Sequence, residues 1–587
     1  MCGIGGILNL DGAPVEAVRL HRMAALLVHR GPDGQGFAAF PADHTVPALL
    51  WQDPARAPAP DRLEDSAIGF VHRRRAVLDP AETEHQPTAS ADGRYWGVMD
   101  GRIYNHSDLR TALGVPFRGR SDTEVLLAAW SAWGERCLER LEGMFAFAVW
   151  DRPGNRLFLA RDRFGIKPLY YAEADGRIGF ASGIKPVLAG LDLPVRPRSQ
   201  AACDFLVRGL KDHRATTFFD GILQVPPGHL VAVKARASAP RAWYDVSTAV
   251  LSRGPACVQD FRAAFEASVS SHLGSGAPVG ICLSGSLESS AILGLAERLR
   301  KGGIHTFPAP KADPIREAGG FLDVLPDLLW HQEGPVASAS PYVRWLLAQE
   351  AAACGVKVIL DGRGADEILA GHPGMHRAAV ADALRELRLF WALGTWWRFA
   401  SPSPEEGNPS LFLSPDLLAA GEEEAAGASV GNRFLTERLK RIRRHLPSLL
   451  HDEDRSDMAH GVETGVPFLE RAVVETALAL PASALLEGGL TKVALRKACA
   501  DVLPEAVRLR RDDVTADQTW LQQGGGRRLD GMLAALEQAG SGWIDWTSVR
   551  REVAAGRIPR HLTALLTTDL WRAQAASPDY LKPRPGA

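Results

Sequence analysis

The sequence predicts a layered sheet domain followed by a second domain built on a parallel α/β sheet. Two observations carry the prediction. Residues 1–190 hold short apolar runs broken by Gly, Asp and Asn, among them GRYWGVMDGRIYN, MFAFAVWD, RLFLARD and RIGFAS. Short strands spaced by turn residues make layered sheets. From residue 256 onward the period changes: VQDFRAAFEASVSSHL, AILGLAERLRK and PYVRWLLAQEAAACG carry apolar residues at helical spacing. There, the short apolar segments APVGICLS and KVILDG each run into a Gly-containing turn and a helix. Strands alternating with helices build a parallel sheet.

A chain of 587 residues is longer than the roughly 250–300 residues that one core sustains. Residues 191–255 contain VPPGHLVAV and RAWYD, a strand after a Pro-Pro-Gly turn, and are expected to connect the two domains. The second domain is expected over 256–520, with a helical extension over 521–587. Hydrophobic content of 46% and charged content of 23% are those of a globular protein. A formal net charge of -2 gives no electrostatic case for nucleic acid or an acidic membrane as partner. Seven scattered cysteines make no disulfide framework, so a reducing, cytoplasmic setting is expected. No apolar run has the length of a membrane span, and MCGIGGILNL lacks the basic start of a signal peptide.

Cys2 follows Met1, and a small second residue favours removal of Met1. The thiol then lies beside its own α-amine, whose pKa of about 7.7–8.0 suits a general base, as with amino-terminal Thr nucleophiles. HRGPDG at 29–34, HRRRAVLD at 72–79, DGRIYNHSDLR at 100–110, SDTE at 121–124, LEGMFAFAVWD at 141–151 and RDRFGIKPLYY at 161–171 follow in order. With MCGIGGI they resemble the class II glutamine amidotransferase domain of glutamine-hydrolysing asparagine synthetases. The resemblance covers nearly all of 1–190. It implies an N-terminal-nucleophile fold, an α+β sandwich of stacked antiparallel sheets between helices. It also implies roles. Cys2 attacks the glutamine side-chain amide and forms a thioester. Arg74 holds the substrate α-carboxylate by a two-pronged hydrogen bond, Asp122 holds its α-ammonium, and the Gly101 N–H serves the oxyanion. For Arg74 the competing expectation is a solvated basic run, because 73–75 is Arg-Arg-Arg.

In the second domain PVGICLSGSLESSAI, at 278–292, places Ser284, Gly285, Ser286, Ser289 and Ser290 at a helix start. Backbone N–H groups and the helix dipole there suit phosphate, and a Ser-capped helix is the plainer alternative. The segment resembles the SGGLDSS loop of ATP pyrophosphatases, the synthetase half of the same family. FFDGILQVPPGH at 218–229, KVILDGRGADEILAGH at 357–372, LPSLLHDEDRSDMAHGVETGVPFLE at 446–470 and LTKVALRKA at 490–498 extend the resemblance in order. It implies that ATP activates a carboxylate, aspartate in the family, as an acyl-adenylate, and that ammonia crosses an internal tunnel to displace AMP. Leu283, Ser284, Gly285, Ser286, Ser289, Ser290 and Lys492 are then expected to bind ATP and pyrophosphate, with Glu288 and Asp366 as Mg²⁺ ligands. For Lys492 and Arg496 the plainer expectation is a solvated helix face, and for Asp366 and Glu367 an acid pair at a helix start. Glutamine, aspartate or another carboxylate, and ATP are the partners implied; nucleic acid and membrane are not, and a homodimer is left open.

The chain departs from the family at working positions. Asp100 stands for an Asn that donates to the oxyanion, and a carboxylate can only accept; losing such a donor costs about 10²–10³ in rate. Arg102 replaces an acid. Ser286 stands for Gly, Glu288 for Asp, Arg363 for Glu or Gln, Gly465 for Arg and Asp513 for Lys. HQEGP at 331–335 resembles an altered HQDEP, and the stretch between Phe307 and His331 is short. Three functional readings follow: an active amidotransferase, an impaired paralogue with a binding or regulatory role, or an amide-forming enzyme acting on a peptide (a macrolactam cyclase) or on a sugar or secondary metabolite.

Overall fold

The computed structural model describes every residue except 1, 77–84, 275–277, 309–319, 400–408, 421–430, 512–525, 541, 556–560 and 585–587. Asp513 lies outside the described residues, as do residues 309–319 of the shortened stretch after Phe307.

The amino-terminal strands are β1 (Gly3–Asn9), β2 (Gly34–Phe40), β3 (Leu49–Trp51), β4 (Ile68–Arg74), β5 (Thr88–Ala89), β6 (Tyr95–Ile103) and β7 (Gly143–Asp151). They continue with β8 (Arg156–Arg161), β9 (Tyr170–Ala174), β10 (Arg177–Ala181), β11 (Leu223–Gln224), β12 (His229–Val233) and β13 (Arg241–Ala242). Among the described residues they form two sheets, ordered β11-β9-β10-β1-β4-β2-β3 and β13-β12-β8-β7-β6-β5. Every pairing given in both is antiparallel. The strands β11–β13, from the stretch expected as a connector, are thus integral to these sheets.

The strands are apolar on both faces because both faces are covered. Ile4, Leu8 and Phe70 of the first sheet meet Ala146, Ala148 and Trp150 of the second in the core between them. One residue along, Phe145, Phe147 and Val149 point to the other side, against Leu126, Leu127 and Trp130 of the helix Asp122–Trp133. The opposite face of the first sheet, with Ile7, Phe37 and Val71, shares a core with Leu20 and Leu188 and with Leu533, Leu565 and Trp571 of the last helices. This is the expected sandwich between helices. The extension at 526–575 folds back onto it as the helices Gly526–Ala539, Trp546–Ala554 and Leu562–Ala575.

The second part holds a parallel sheet ordered β15-β14-β16-β17, with β14 (Val279–Leu283), β15 (Ile304–Pro308), β16 (Val358–Leu360) and β17 (Glu463–Gly465). APVGICLS and KVILDG supply the two central strands. Helices Val258–Leu273 and Leu287–Leu299 bury Phe265, Val269, Ile292 and Leu295 in the core that contains Val279 and Ile281 of β14. Between the two parts runs the helix Leu446–Ala459, buried through Glu453–Ala459. No helix among the described residues is long and apolar enough to cross a membrane.

Candidate functional sites

Cys2 precedes β1 in the centre of the first sheet. Its backbone N–H donates to Asp100 Oδ1 at 3.0 Å. Burial pushes the thiol pKa up, and the carboxylates of Asp100 and Glu463 add to that rise. Asp100 lies on β6 with no solvent exposure. Its other oxygen accepts from Arg30 Nη2 at 3.1 Å, while Arg30 also donates to both oxygens of Asp454 at 2.7 and 3.0 Å. The Asp100 carboxylate therefore shares a buried guanidinium with Asp454 and accepts from the Cys2 N–H.

Gly101 follows at φ +130°, where an added Cβ would collide with the Met144 carbonyl on the neighbouring strand. Only glycine keeps the β6–β7 pairing here. Asp122 opens its helix and accepts from the Ile103 N–H at 3.0 Å; burial raises its pKa. The solvated basic run expected as the competitor for Arg74 is not what forms. Arg74 is buried at the end of β4, Arg73 donates to the Gly31 carbonyl and to Gln35, and Arg75 lies 3.7 Å from Asp33. Arg102 faces Glu463 of β17 at 3.5 Å, and Lys167 reaches the same carboxylate at 3.4 Å. Burial would raise the Glu463 pKa, but the amino terminus of the chain, Lys167 and Arg102 together hold it below the usual carboxylate range.

In the second part, the loop after β14 turns at Gly285, φ +76°. Ser286 caps the helix Leu287–Leu299, its Oγ accepting from the Ser289 N–H at 3.3 Å. The Ser284 hydroxyl accepts from the Ser286 N–H at 3.4 Å, and the Ser290 hydroxyl donates to the Ser286 carbonyl at 2.8 Å. The plainer alternative, a Ser-capped helix, is thus present in geometry, and phosphate-binding would be added to it. Lys492 sits at φ +54°, buried rather than on a solvated face. Its ammonium contacts Glu288, and Asp366 Oδ1 at 2.6 Å. Burial raises the Glu288 pKa and Lys492 opposes that rise. Arg496 is buried as well, donating to the carbonyls of Thr491 and Arg508.

Two carboxylates converging on one point at a helix start suit a cation that keeps most of its waters and is completed by phosphate oxygens. No cluster of three or more His, Cys, Asp or Glu side chains suited to a metal occurs among the described residues. Any ion here would rest on Glu288, Asp366 and its substrate.

A third group of charges lies between these centres, and of it only Arg363 was singled out from the sequence. Arg363 pairs through Nε with Glu453. Arg344 binds Asp457 at 2.6 and 2.8 Å and Asp361 at 2.7 Å. Glu453 and Asp457 lie in the segment LPSLLHDEDRSDMA; nothing in that string says which distant cations they meet. Gly465, in place of an arginine, accepts from the Asp361 N–H at 3.0 Å, with His272 against its Cα.

Comparison with known proteins adds to this geometry. A family model described as a glutamine amidotransferase domain matches residues 58–244. One described as asparagine synthase matches residues 260–310 and 315–573. Asparagine synthetase (glutamine-hydrolyzing) 1 of Bacillus subtilis (strain 168) is 26% identical over 574 residues, spanning 87% of this chain and 86% of that protein. Asparagine synthetase (glutamine-hydrolyzing) 3 of the same organism is 28% identical over 566 residues, with the same coverage of 87% and 86%. The solved glutamine phosphoribosylpyrophosphate amidotransferase of B. subtilis shows a slight likeness, with a TM-score of 0.30 and 18% identity over 52% of this chain and 66% of that one.

Proposed function

The chain belongs to the asparagine synthase family, and on that premise we propose that it is an ATP-dependent carbon–nitrogen ligase that takes its amide nitrogen from glutamine and places it on aspartate. The observation that carries this reading is the buried Lys492 set between Glu288 and Asp366 beside the Ser-rich helix start. It sits in one molecule with Cys2 at the head of the central strand of the first sheet.

At the first centre Cys2 attacks the glutamine amide carbon, and its α-amine takes up the thiol proton. Arg74 and Asp122 hold the substrate's carboxylate and ammonium, and the Gly101 N–H receives the oxyanion. Release of ammonia leaves a thioester that water hydrolyses. At the second centre the backbone of Ser284–Ser290 and the ammonium of Lys492 bind the β- and γ-phosphates. The aspartate β-carboxylate attacks the α-phosphorus, and pyrophosphate leaves into that cradle. Mg²⁺ held by Glu288 and Asp366 would spread the charge of the leaving group. Ammonia then displaces AMP from the acyl-adenylate. All seven cysteines are free, in keeping with a reducing, cytoplasmic setting.

The test measures pyrophosphate release from ATP with and without aspartate, using glutamine or ammonium as donor. Aspartate-dependent release with both donors is expected. Release that ignores aspartate under both donors refutes the acceptor. Release with ammonium alone refutes the glutaminase.

A further inference from the structure

Glu453 is buried, and its two carboxylate oxygens differ. One is paired with Arg363. The other, Oε2, is shielded from solvent and makes no hydrogen bond. A buried carboxylate oxygen left without a partner costs stability, so its place in the fold matters. Arg363 and Asp361 lie just beyond the carboxyl end of β16, which is where open parallel sheets bind their ligands. One residue away, a Cβ added at Gly362 would lie 2.6 Å from the Glu288 Cβ and 3.6 Å from the Ser289 nitrogen. The Glu453 pair is thus seated beside the helix start assigned to the phosphates. The next residue, Asp454, faces the other way and is bound by Arg30, which holds Asp100 and through it the Cys2 N–H. One helix turn therefore presents one acid to each centre.

We propose that Glu453 is the general base of the amide-forming step, resting on the ligase reading above. Ammonia's lone pair forms the new C–N bond at the acyl carbon. The adduct's nitrogen passes one proton to Glu453 Oε2. The C–O bond to AMP then breaks, and AMP departs with the electron pair. The products are the amide, AMP and a proton, which Glu453 returns to solvent.

The surrounding charges tune the group for this task. Burial lifts its pKa to about 7, with Asp361 adding to the rise and Arg363 and Arg344 opposing it. Cys282, at the end of β14, feels the same cluster, and burial keeps it a neutral thiol with its pKa pushed up to about 12. Asp457, one turn along, is taken up by Arg344. A base whose pKa lies near the working pH transfers protons efficiently.

Glu453→Gln keeps an acceptor for Arg363 and removes the base. With aspartate as acceptor and ammonium as donor, asparagine formation should fall by about 10²–10⁴. Aspartate-dependent exchange of pyrophosphate into ATP, which precedes that step, should change by less than about threefold. The acidic limb of the wild-type rate profile, set by Glu453, should vanish in Glu453→Gln. It should move to higher pH in Arg363→Met, because the guanidinium is one of the groups lowering that pKa. Wild-type asparagine formation in Glu453→Gln overturns the proposal. So does parallel loss of exchange and synthesis in both variants at every pH, which marks the pair as structural. Absence of aspartate-dependent exchange in the wild-type protein overturns the ligase reading instead, and the base with it.

Discussion

Replacing Arg30 by Met should weaken the junction of the two halves in a pH-dependent way. Arg30 is fully buried, with Asp100 equally buried on one side and Asp454 at 8% side-chain exposure on the other. Burial would raise the Asp454 carboxyl, but Arg30 holds it at about 2 against an ordinary 3.8. A depression of that size is worth about 2–3 kcal/mol once pH is above the unfolded value. Without the guanidinium, burial raises the Asp454 carboxyl against only the weaker pull of Arg455 and Lys167. Removing one partner of a buried ion pair costs about 3–5 kcal/mol. The sign follows from linkage: a depressed carboxyl stabilises above its unfolded pKa, and this contribution is lost as pH falls through the folded value. In the variant the Asp454 carboxyl, raised by burial, penalises folding at neutral pH and progressively less in acid. Urea unfolding followed by tryptophan fluorescence should show a loss of about 3–5 kcal/mol near pH 7.5, shrinking toward about pH 4.5. The triple variant Arg30→Met, Asp100→Asn, Asp454→Asn should recover most of it. A loss below about 1 kcal/mol, or one equal at both pH values, refutes the buried-pair reasoning.

Cys2→Ala should abolish glutamine-dependent product and leave the ammonium-dependent rate in place, as measured by asparagine formed from each donor. Alkylation of Cys2 by iodoacetamide should keep accelerating above the usual thiol range, because burial, Asp100 and Glu463 hold its pKa up; a rate already flat at neutral pH contradicts this. Lys492→Met leaves Glu288 and Asp366 facing each other without their cation, so aspartate-dependent pyrophosphate exchange should fall by about 10²–10³. Exchange at wild-type rate would remove Lys492 from the phosphate site. Ser286→Gly exchanges one good helix cap for another and should cost only a few tenths of a kcal/mol. ATP affinity by calorimetry should be equal or higher, since the Ser286 side chain narrows the approach to the loop; a tenfold loss would show that its hydroxyl binds the nucleotide.

What was legible in the sequence was what is local. MFAFAVWD reads as a strand because nearly every residue is apolar, and β7 is buried on both faces. APVGICLS and KVILDG read as strands for the same reason and become neighbours β14 and β16. The edge strand β17 is three residues long, Glu-Thr-Gly, and pairs with β16 across a hundred residues; nothing apolar marks it. The charged partners were equally hidden. Arg30 and Asp454 stand in segments quoted for other reasons, but they are 424 positions apart, and no local pattern joins them. The same holds for Arg102 with Glu463. In the Arg-Arg-Arg run, alternation along β4 sends Arg74 inward, while its neighbours find Gln35, Gly31 and Asp33.

These pairings bear on whether the altered residues signal a site in decay. A buried charge left without a partner costs several kcal/mol. The unusual residues here meet opposite charges instead. Asp100 faces Arg30, Arg102 faces Glu463, Arg363 faces Glu453, and the Asp457 that pairs with Arg344 sits in the same cluster. In one of these pairs, Arg102 with Glu463, the partner belongs to a different part of the chain from the altered residue. Glu288 has likewise kept Lys492 despite its longer side chain. Charge pairs of this kind preserve a buried electrostatic field while changing its sign pattern. A field of that kind is what acid–base steps at two coupled centres require. The substitutions therefore argue for a retuned ligase, with the acid–base work at the second centre assigned to Glu453.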